Sequence, residues 1–384
     1  MSANPLFILT ILCLNVIVAE RLATLPYIRH LSAALMVIIL GAIEANVGLI
    51  PSASQTTPLY DGIFTYVSPM AIFFLMLGVQ IKSLRKAGAP MIIWFFVGSL
   101  GTILGVLVAM WWVQGSMSIG ENFHAIGGMY TGTYIGGSIN FNAVALHYGV
   151  SKDGALFAAA TAVDNIWSAI WVVVTLFIPK IMKKIAPTRA QKASTDEHYE
   201  PYSNDRELVD PLSMAALIGI GCATMFGVSE LVKIFPKVPS VIFLTTIALV
   251  LAQLPFVQNL KGNRLLGMFA VYLFLTVIGA HCDIPALLKD GQLAWTLFVL
   301  VTLLVCIHGV VIFGLGYLFR QDWDILGIAS QANVGGSSTA LACAKSLGRE
   351  DLGLAAILIG ALGNATGTYW GILIAEFLKS AGIF

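Results

Sequence analysis

The chain has 384 residues, of which 58% are hydrophobic and only 11% charged, against roughly a quarter charged in a soluble globular domain. That composition excludes a soluble globule. The formal net charge of +1, with basic residues standing singly or in small groups beside apolar runs, excludes a nucleic-acid-binding surface.

Apolar runs near the roughly 20 residues that cross a bilayer recur at 5–20, 31–50, 62–81, 90–113, 154–178, 211–232, 239–256, 265–280, 292–318 and 353–378. Barrel-type alternation is absent, so an all-α polytopic membrane protein is expected. The first run, Pro5 to Ala19, lacks a basic leader and an A-x-A site and is expected to be a retained span. Glu20-x5-Pro26 closes it, and Glu230-x5-Pro236 closes the sixth run 210 residues later. Likewise Gly78 in LMLGVQIKSL answers Gly279 in TVIGAHCDIPALL, 201 residues on. Between the halves lies the polar stretch 180–210, which reads as a solvated linker. Cys13, Cys222, Cys282, Cys306 and Cys343 lie in or beside apolar segments without paired spacing and read as packing residues.

The strongest internal signal is Gly132 to Trp171, which has a near copy from Gln331 to Trp370. One ungapped offset of 199 lays Gly136-Gly137-Ser138 on Gly335-Gly336-Ser337, Gly149 on Gly348, Gly154 on Gly353, Asn165 on Asn364 and Trp171 on Trp370. Each copy is a glycine-interrupted apolar segment, a short polar turn, and an apolar helix with a polar pair or residue at mid-span. If 124–148 crosses the membrane once, the 21 Lys and Arg residues split 11 to 10 between the two sides. If it and 324–347 each enter and leave by one face, the halves have five spans each, the second is inverted, and the split is 16 inside to 5 outside. The second arrangement is expected, with both termini outside, Lys152 outside and Lys184 inside. The expected organisation is thus residues 1–184 as a first inverted repeat, 185–210 as a cytoplasmic linker and 211–384 as a second repeat. Each repeat has about five spans plus one glycine-broken hairpin.

Non-helical backbone survives within a bilayer only where it is buried in protein or lines a wet cavity. The paired glycines therefore predict an unwinding that frees amides and carbonyls, with helix N-termini that favour an anion. Inverted repeats with interrupted segments facing each other are a plan of secondary transporters.

These residues resemble a family. IGGSINFNAVA with AVDN in the first copy, and ASQANVGGSSTA with GALGN in the second, are similar to the signatures of the YjcL-like membrane proteins, a family of unknown function. More widely they resemble the sodium/glutamate symporters, the sodium/citrate carriers and, more distantly, the bile-acid and sodium/proton antiporter superfamily. The resemblance covers nearly the whole chain and implies an elevator-type transporter, in which a core bearing both hairpins slides against a scaffold. The antiporter relatives carry Asp-Asp or Asn-Asp where this chain reads Asp164-Asn165. The expected assembly is a homodimer through the scaffold helices, in a bacterial inner membrane.

Asp164 is the leading candidate residue, because a carboxylate within an apolar run is costly and faces a cavity or a partner. Asn165 and Asn364 are related by the duplication, and amide oxygens suit a hard cation such as sodium. The expected ion site is therefore Asp164, Asn165 and Asn364. Gly136, Gly137, Ser138, Asn140 and Asn142 in one hairpin, with Asn333, Gly335, Gly336, Ser337, Ser338 and Thr339 in the other, form the expected solute site. The competing reading gives their polar groups to the loops' own backbone. Neither hairpin contains Lys or Arg at this site, so an anionic solute needs amide dipoles, hydroxyls and a co-bound cation. Glu20, Glu230, Glu44 with Asn46, and His281 with Asp283 read as residues at span ends, and His308 as a core histidine.

The leading function is sodium-coupled symport of a small polar or anionic solute such as an amino acid, peptide or carboxylate. Its rival is a cation/proton antiporter using Asp164. No HExxH, GxSxG or lipid-phosphate motif occurs, so an enzyme is not expected. The partners expected are the solute, membrane lipid and sodium as coupling ion, with no cofactor.

Overall fold

The computed structural model describes residues 4–23, 33–52, 57–79, 87–187, 209–236, 238–281 and 291–381, the side chains of Ser338 and Glu350 excepted. Pro26, Arg29, the Lys82/Arg85/Lys86 loop, most of the 185–210 linker, Cys282, Asp283 and the Ser338 side chain lie outside the described residues. The first half of the chain forms α1 (Pro5–Ala23), α2 (Ala33–Asn46), α3 (Pro58–Met76), α4 (Ala89–Trp112), α5 (Phe123–Gly136), α6 (Ser138–Tyr148) and α7 (Gly154–Ile185). The second half forms α8 (Pro211–Ile234), α9 (Ser240–Leu251), α10 (Asn263–Ala280), α11 (Gly291–Leu318), α12 (Trp323–Ser346) and α13 (Gly353–Ala381). Helices α1, α3, α4, α7, α8, α10, α11 and α13 are long and apolar enough to cross a membrane, whereas α2 and α9 are shorter apolar helices. Together they account for the ten apolar runs. The element order of the first half recurs in the second, α12 standing where α5 and α6 stand.

Local chemistry sets the starts and one irregularity. Thr57 caps α3 by accepting from the Tyr60 N–H, Asp210 caps α8 by accepting from the Ser213 N–H, and each is followed by proline. Bonds from the Ser213 hydroxyl and N–H hold the Asp210 carboxyl below the usual carboxylate range. Within α3, Ile63–Val67 forms a π-helical turn just before Pro69, whose nitrogen has no hydrogen to continue the α ladder.

Contacts divide the chain into two compact units. The first comprises Met1–Gly78, Ala145–Asn165 and Glu207–Leu297. Its centre is α10, buried at every residue from Ala270 to Ala280, as a helix that is apolar all round must be. It packs on α2 and α3. A side chain at Gly41 would strike the Thr276 carbonyl and one at Gly279 the Ile38 carbonyl. Asn15 on α1 donates to Glu44 on α2 at 2.6 Å, and the His281 ring lies against Tyr60 and Phe64. Glu230 pairs with Lys233 on the surface of α8 at 2.6 Å.

The second unit comprises Val79–Val144, Ile166–Arg206 and Phe298–Phe384. Its centre is α5, buried from Ala125 to Gly136 and packed on α13, α12 and α4. Each unit therefore draws on both halves of the chain, and the chain passes between units within α6, α7 and α11.

Candidate solute and ion site

Both Gly-Gly-Ser sequences break their helices at the second glycine. Gly137 has φ 89° and ψ 175°, and Gly336 has φ 76° and ψ −166°, a region essentially confined to glycine. The same offset relates Gly149 at φ 74° to Gly348 at φ 72°, where a left-handed residue ends each hairpin's second arm. The Gly137 N–H closes α5 by donating to Thr133 O at 2.7 Å, and the Asn140 N–H reaches back to Gly137 O at 3.1 Å.

At Gly137 the chain reverses. A Cβ at Gly132 would lie 3.2 Å from the Asn140 Cβ, and one at Gly128 would lie 3.2 Å from the Val144 side chain. Pairs 132/140 and 128/144 are those of two antiparallel arms turning near residue 136. In α12 the reversal shows at the base, where Arg349 Nη1 bonds Asp322 Oδ2 at 2.8 Å. Without a reversal, those residues would stand roughly 40 Å apart at 1.5 Å per residue. Asp322 and Asp324 are nearly buried and share Arg349, and Lys183 near the end of α7 reaches Asp324 at 2.6 Å. Bonds to Asp351 and Asp322 hold the Arg349 guanidinium above its ordinary pKa.

The first hairpin is seated by glycine. Gly128, Gly132 and Gly136 on α5 face Gly371, Gly367 and Gly363 on α13, so backbone meets backbone. A Cβ at Gly128 would lie 2.5 Å from Gly371 O, and one at Gly367 2.8 Å from Gly132 O. Such small-residue stripes permit close helix packing within a bilayer. Asn140, fully buried, accepts from Thr368 at 2.8 Å.

The second hairpin is seated by polar side chains. Asn333 Nδ2 donates to Ser99 on α4 at 3.0 Å, Thr175 on α7 donates to Gln331 Oε1 at 2.9 Å, and Trp171 Nε1 donates to Ser330 at 2.9 Å. His308, fully buried, bonds Gly98 O through Nδ1 and Ser330 through Nε2, both at 2.9 Å. A carbonyl only accepts, which assigns the hydrogen to Nδ1 and makes Nε2 the acceptor of the Ser330 hydroxyl. His308 is thus a fully bonded core residue, as its sequence context indicates.

The two breaks meet. The Cβ position of Gly137 is 3.9 Å from the Gly336 Cα and 3.8 Å from Asn364 Oδ1, and that of Gly336 is 3.9 Å from Gly136 O. The Ser337 backbone rests on Gly360 of α13. Among the expected site residues, Gly136, Gly137, Gly336, Ser337 and Asn364 therefore stand together. Thr339 lies beside Gly335 and donates to Gly336 O at 3.2 Å. Ser138 is exposed at the start of α6 and Asn142 is buried along it. Asn140 and Asn333 use their amides to hold the hairpins to α13 and α4. Asp164 and Asn165 stand at the end of the first unit's stretch of α7. Asp164 is 8% exposed, and Asn165 Nδ2 donates to Thr161 O at 2.8 Å. Among the described residues no group of three or more His, Cys, Asp or Glu could hold a metal ion.

Sequence reasoning passed over the two glycine stripes, Gln331 and the Asp322/Asp324/Arg349 cluster. The four-residue glycine spacing was a readable signal; the other two become visible only through their partners.

Residues 7–381 match the family model described as protein of unknown function, DUF819. The chain is 27% identical over 368 residues to the uncharacterized membrane protein YjcL of Bacillus subtilis (strain 168), an alignment covering 91% of this chain and 90% of that relative.

Proposed function

This multi-pass membrane protein belongs to the DUF819 family, and from that premise we propose that it is a secondary active transporter, a sodium-coupled symporter of a small polar or anionic organic solute that works by an elevator mechanism. The observation that carries this reading is the meeting of Gly137 and Gly336 beside Asn364. Four half-helix ends converge there. The C-terminal ends of α5 and of the first arm of α12 offer carbonyls to a cation, and the N-terminal ends of α6 and of the second arm offer amides to an anion. A sodium ion fits carbonyl and carboxamide oxygens, with Asn364 as a ligand. A solute oxygen fits the amides and hydroxyls of Gly137, Ser138, Ser337 and Thr339.

Both broken segments reverse; with the shorter helices α2 and α9 taken as spans, each half has five, and the second repeat is taken as inverted. The concentration of both breaks in one compact unit, with most of α1–α3 and α8–α10 in the other, supports a core and a scaffold. A homodimer through the scaffold helices, in a bacterial inner membrane, completes the reading, and no catalytic chemistry is assigned.

The buried carboxylate of Asp164 favours one alternative, cation/proton antiport. The two are separated in proteoliposomes loaded with purified protein. Symport predicts solute-dependent sodium uptake that changes little between about pH 6 and 8, a window above the ordinary carboxylate range. Sodium efflux driven by an imposed proton gradient without organic solute, and abolished by Asp164→Asn, would replace the symporter with the antiporter.

A further inference from the structure

The two hairpins differ at the positions flanking their turns. The offset of 199 sets Gln331 on Gly132 and Thr339 on Asn140. In the first hairpin this flank is filled and bonded, since Asn140 packs on Gly132 and its Oδ1 accepts from Thr368. In the second, Gln331 is 0% exposed, and its Nε2 has no hydrogen-bond partner among the described residues. Thr175 holds the oxygen of that carboxamide, so the nitrogen is turned toward the glycine break. It lies 2.6 Å from where a Cβ of Gly335 would stand, and the Thr339 hydroxyl lies close to the same position. A side chain at Gly335 would strike both groups, so glycine here is what lets the two donors close on the break. The second arm, residues 337–346, begins beyond the break at Gly336, and the first N–H groups of a helix have no partner within it. A buried carboxamide whose N–H donors meet no acceptor destabilises the fold more than an apolar group of the same shape would. Packing alone therefore does not account for glutamine here.

The geometry points to Gln331 as a solute-contacting residue. Its Nε2–H donates, together with the Thr339 hydroxyl, to a carboxylate or carbonyl oxygen of the transported solute seated against the N-terminal end of the second arm. The long Thr339 bond to Gly336 O is the one that oxygen displaces. This rests on the transport reading above and names the chemistry of its solute: an oxygen acceptor is read by Gln331, while sodium is read by the carbonyls and Asn364.

The test is thermal unfolding of the full-length protein in detergent, wild type beside Gln331→Met, with three additions. These are sodium against potassium at equal ionic strength; sodium plus a panel of acetate, succinate, citrate, L-alanine and L-glutamate; and sodium plus neutral acetamide and N-acetylglycinamide. The expected result is that Gln331→Met melts at or above the wild-type temperature without solute and keeps the sodium shift. It should also lose about tenfold or more in apparent affinity for whichever probe shifts the wild type, the loss of one good hydrogen bond. A shift by carboxylates but not by the amides identifies a carboxylate solute, and the reverse a neutral carbonyl; either supports the inference. A lower melting temperature with an unchanged probe shift makes Gln331 a packing residue and overturns it. A wild type that answers to sodium but to no probe overturns the oxygen-acceptor assignment and leaves the sodium site standing. No response to sodium in the wild type removes the transport reading and the inference with it. If Gln331→Met fails to fold, that outcome assigns the residue to packing unless Gln331→Glu folds and loses the probe shift.

Discussion

The two hairpins share a backbone and differ in what holds them. Gly137 and Gly336 adopt nearly the same torsion angles 199 residues apart, yet the first hairpin is seated on α13 by glycine facing glycine, and the second on α4, α7 and α11 by polar side chains and a charged base. Where main chain meets main chain there is no room for a side chain to acquire a new role. Where side chains do the seating, one of them, Gln331, keeps donors that have no partner among the described residues. The two copies thus share the turn, which only glycine fits, and differ at its flanks.

The sharpest way to break that contrast is at the hairpin bases. Arg349→Ala should cost about 3–5 kcal/mol, because it leaves Asp322 and Asp324 buried without their shared cation. Lys183 is 44% exposed, and Lys183→Ala should cost at most about 1 kcal/mol. Equal losses in thermal unfolding would show that the charged base does not secure the second hairpin.

Next come the seats themselves. Gly136→Ala places a methyl group against the Gly363 carbonyl, which cannot move without shifting a helix, and should cost about 1–3 kcal/mol. Gly335→Ala meets only the side chains of Gln331 and Thr339 and should cost less stability while weakening solute binding. The reverse order of melting temperatures would remove the distinction between the two seats.

The smallest expected effect sharpens the comparison at the flanks. Asn140→Ala and Thr368→Val each remove one side of a 2.8 Å bond, should each cost about 1 kcal/mol, and should not add in the double variant. Thr339→Val, at the matching position, should barely move the melting temperature. A loss there as large as at Asn140 would give both flanks the same structural task.

Much of this was legible in the sequence because it depends on local necessity. Among the described residues the ten apolar runs form eight helices long enough to cross a membrane and two shorter ones, and a glycine pair repeated in register gives two breaks of one geometry. Asn364 was legible as a junction residue because the duplication marked it. Asn333 read equally well as a solute ligand; its Nδ2 is bonded to Ser99, a partner 234 residues away that no local pattern announces, while its Oδ1 has no hydrogen-bond partner among the described residues. Arg349 and Asp322 are 27 residues apart, and their pairing follows only once the segment between them is known to double back. The two compact units were illegible for the same reason, since each is assembled from three separate stretches of chain.

The central claim, that the junction of the two breaks is a sodium site serving transport, is tested most directly by thermal unfolding of the purified protein in sodium chloride and in potassium chloride at equal ionic strength. Wild type should melt several degrees higher in sodium, and Asn364→Ala should melt equally in both salts while keeping the wild-type melting temperature in potassium to within about 1 kcal/mol of stability. An undiminished sodium shift in Asn364→Ala, or no sodium shift in the wild type, would contradict the account.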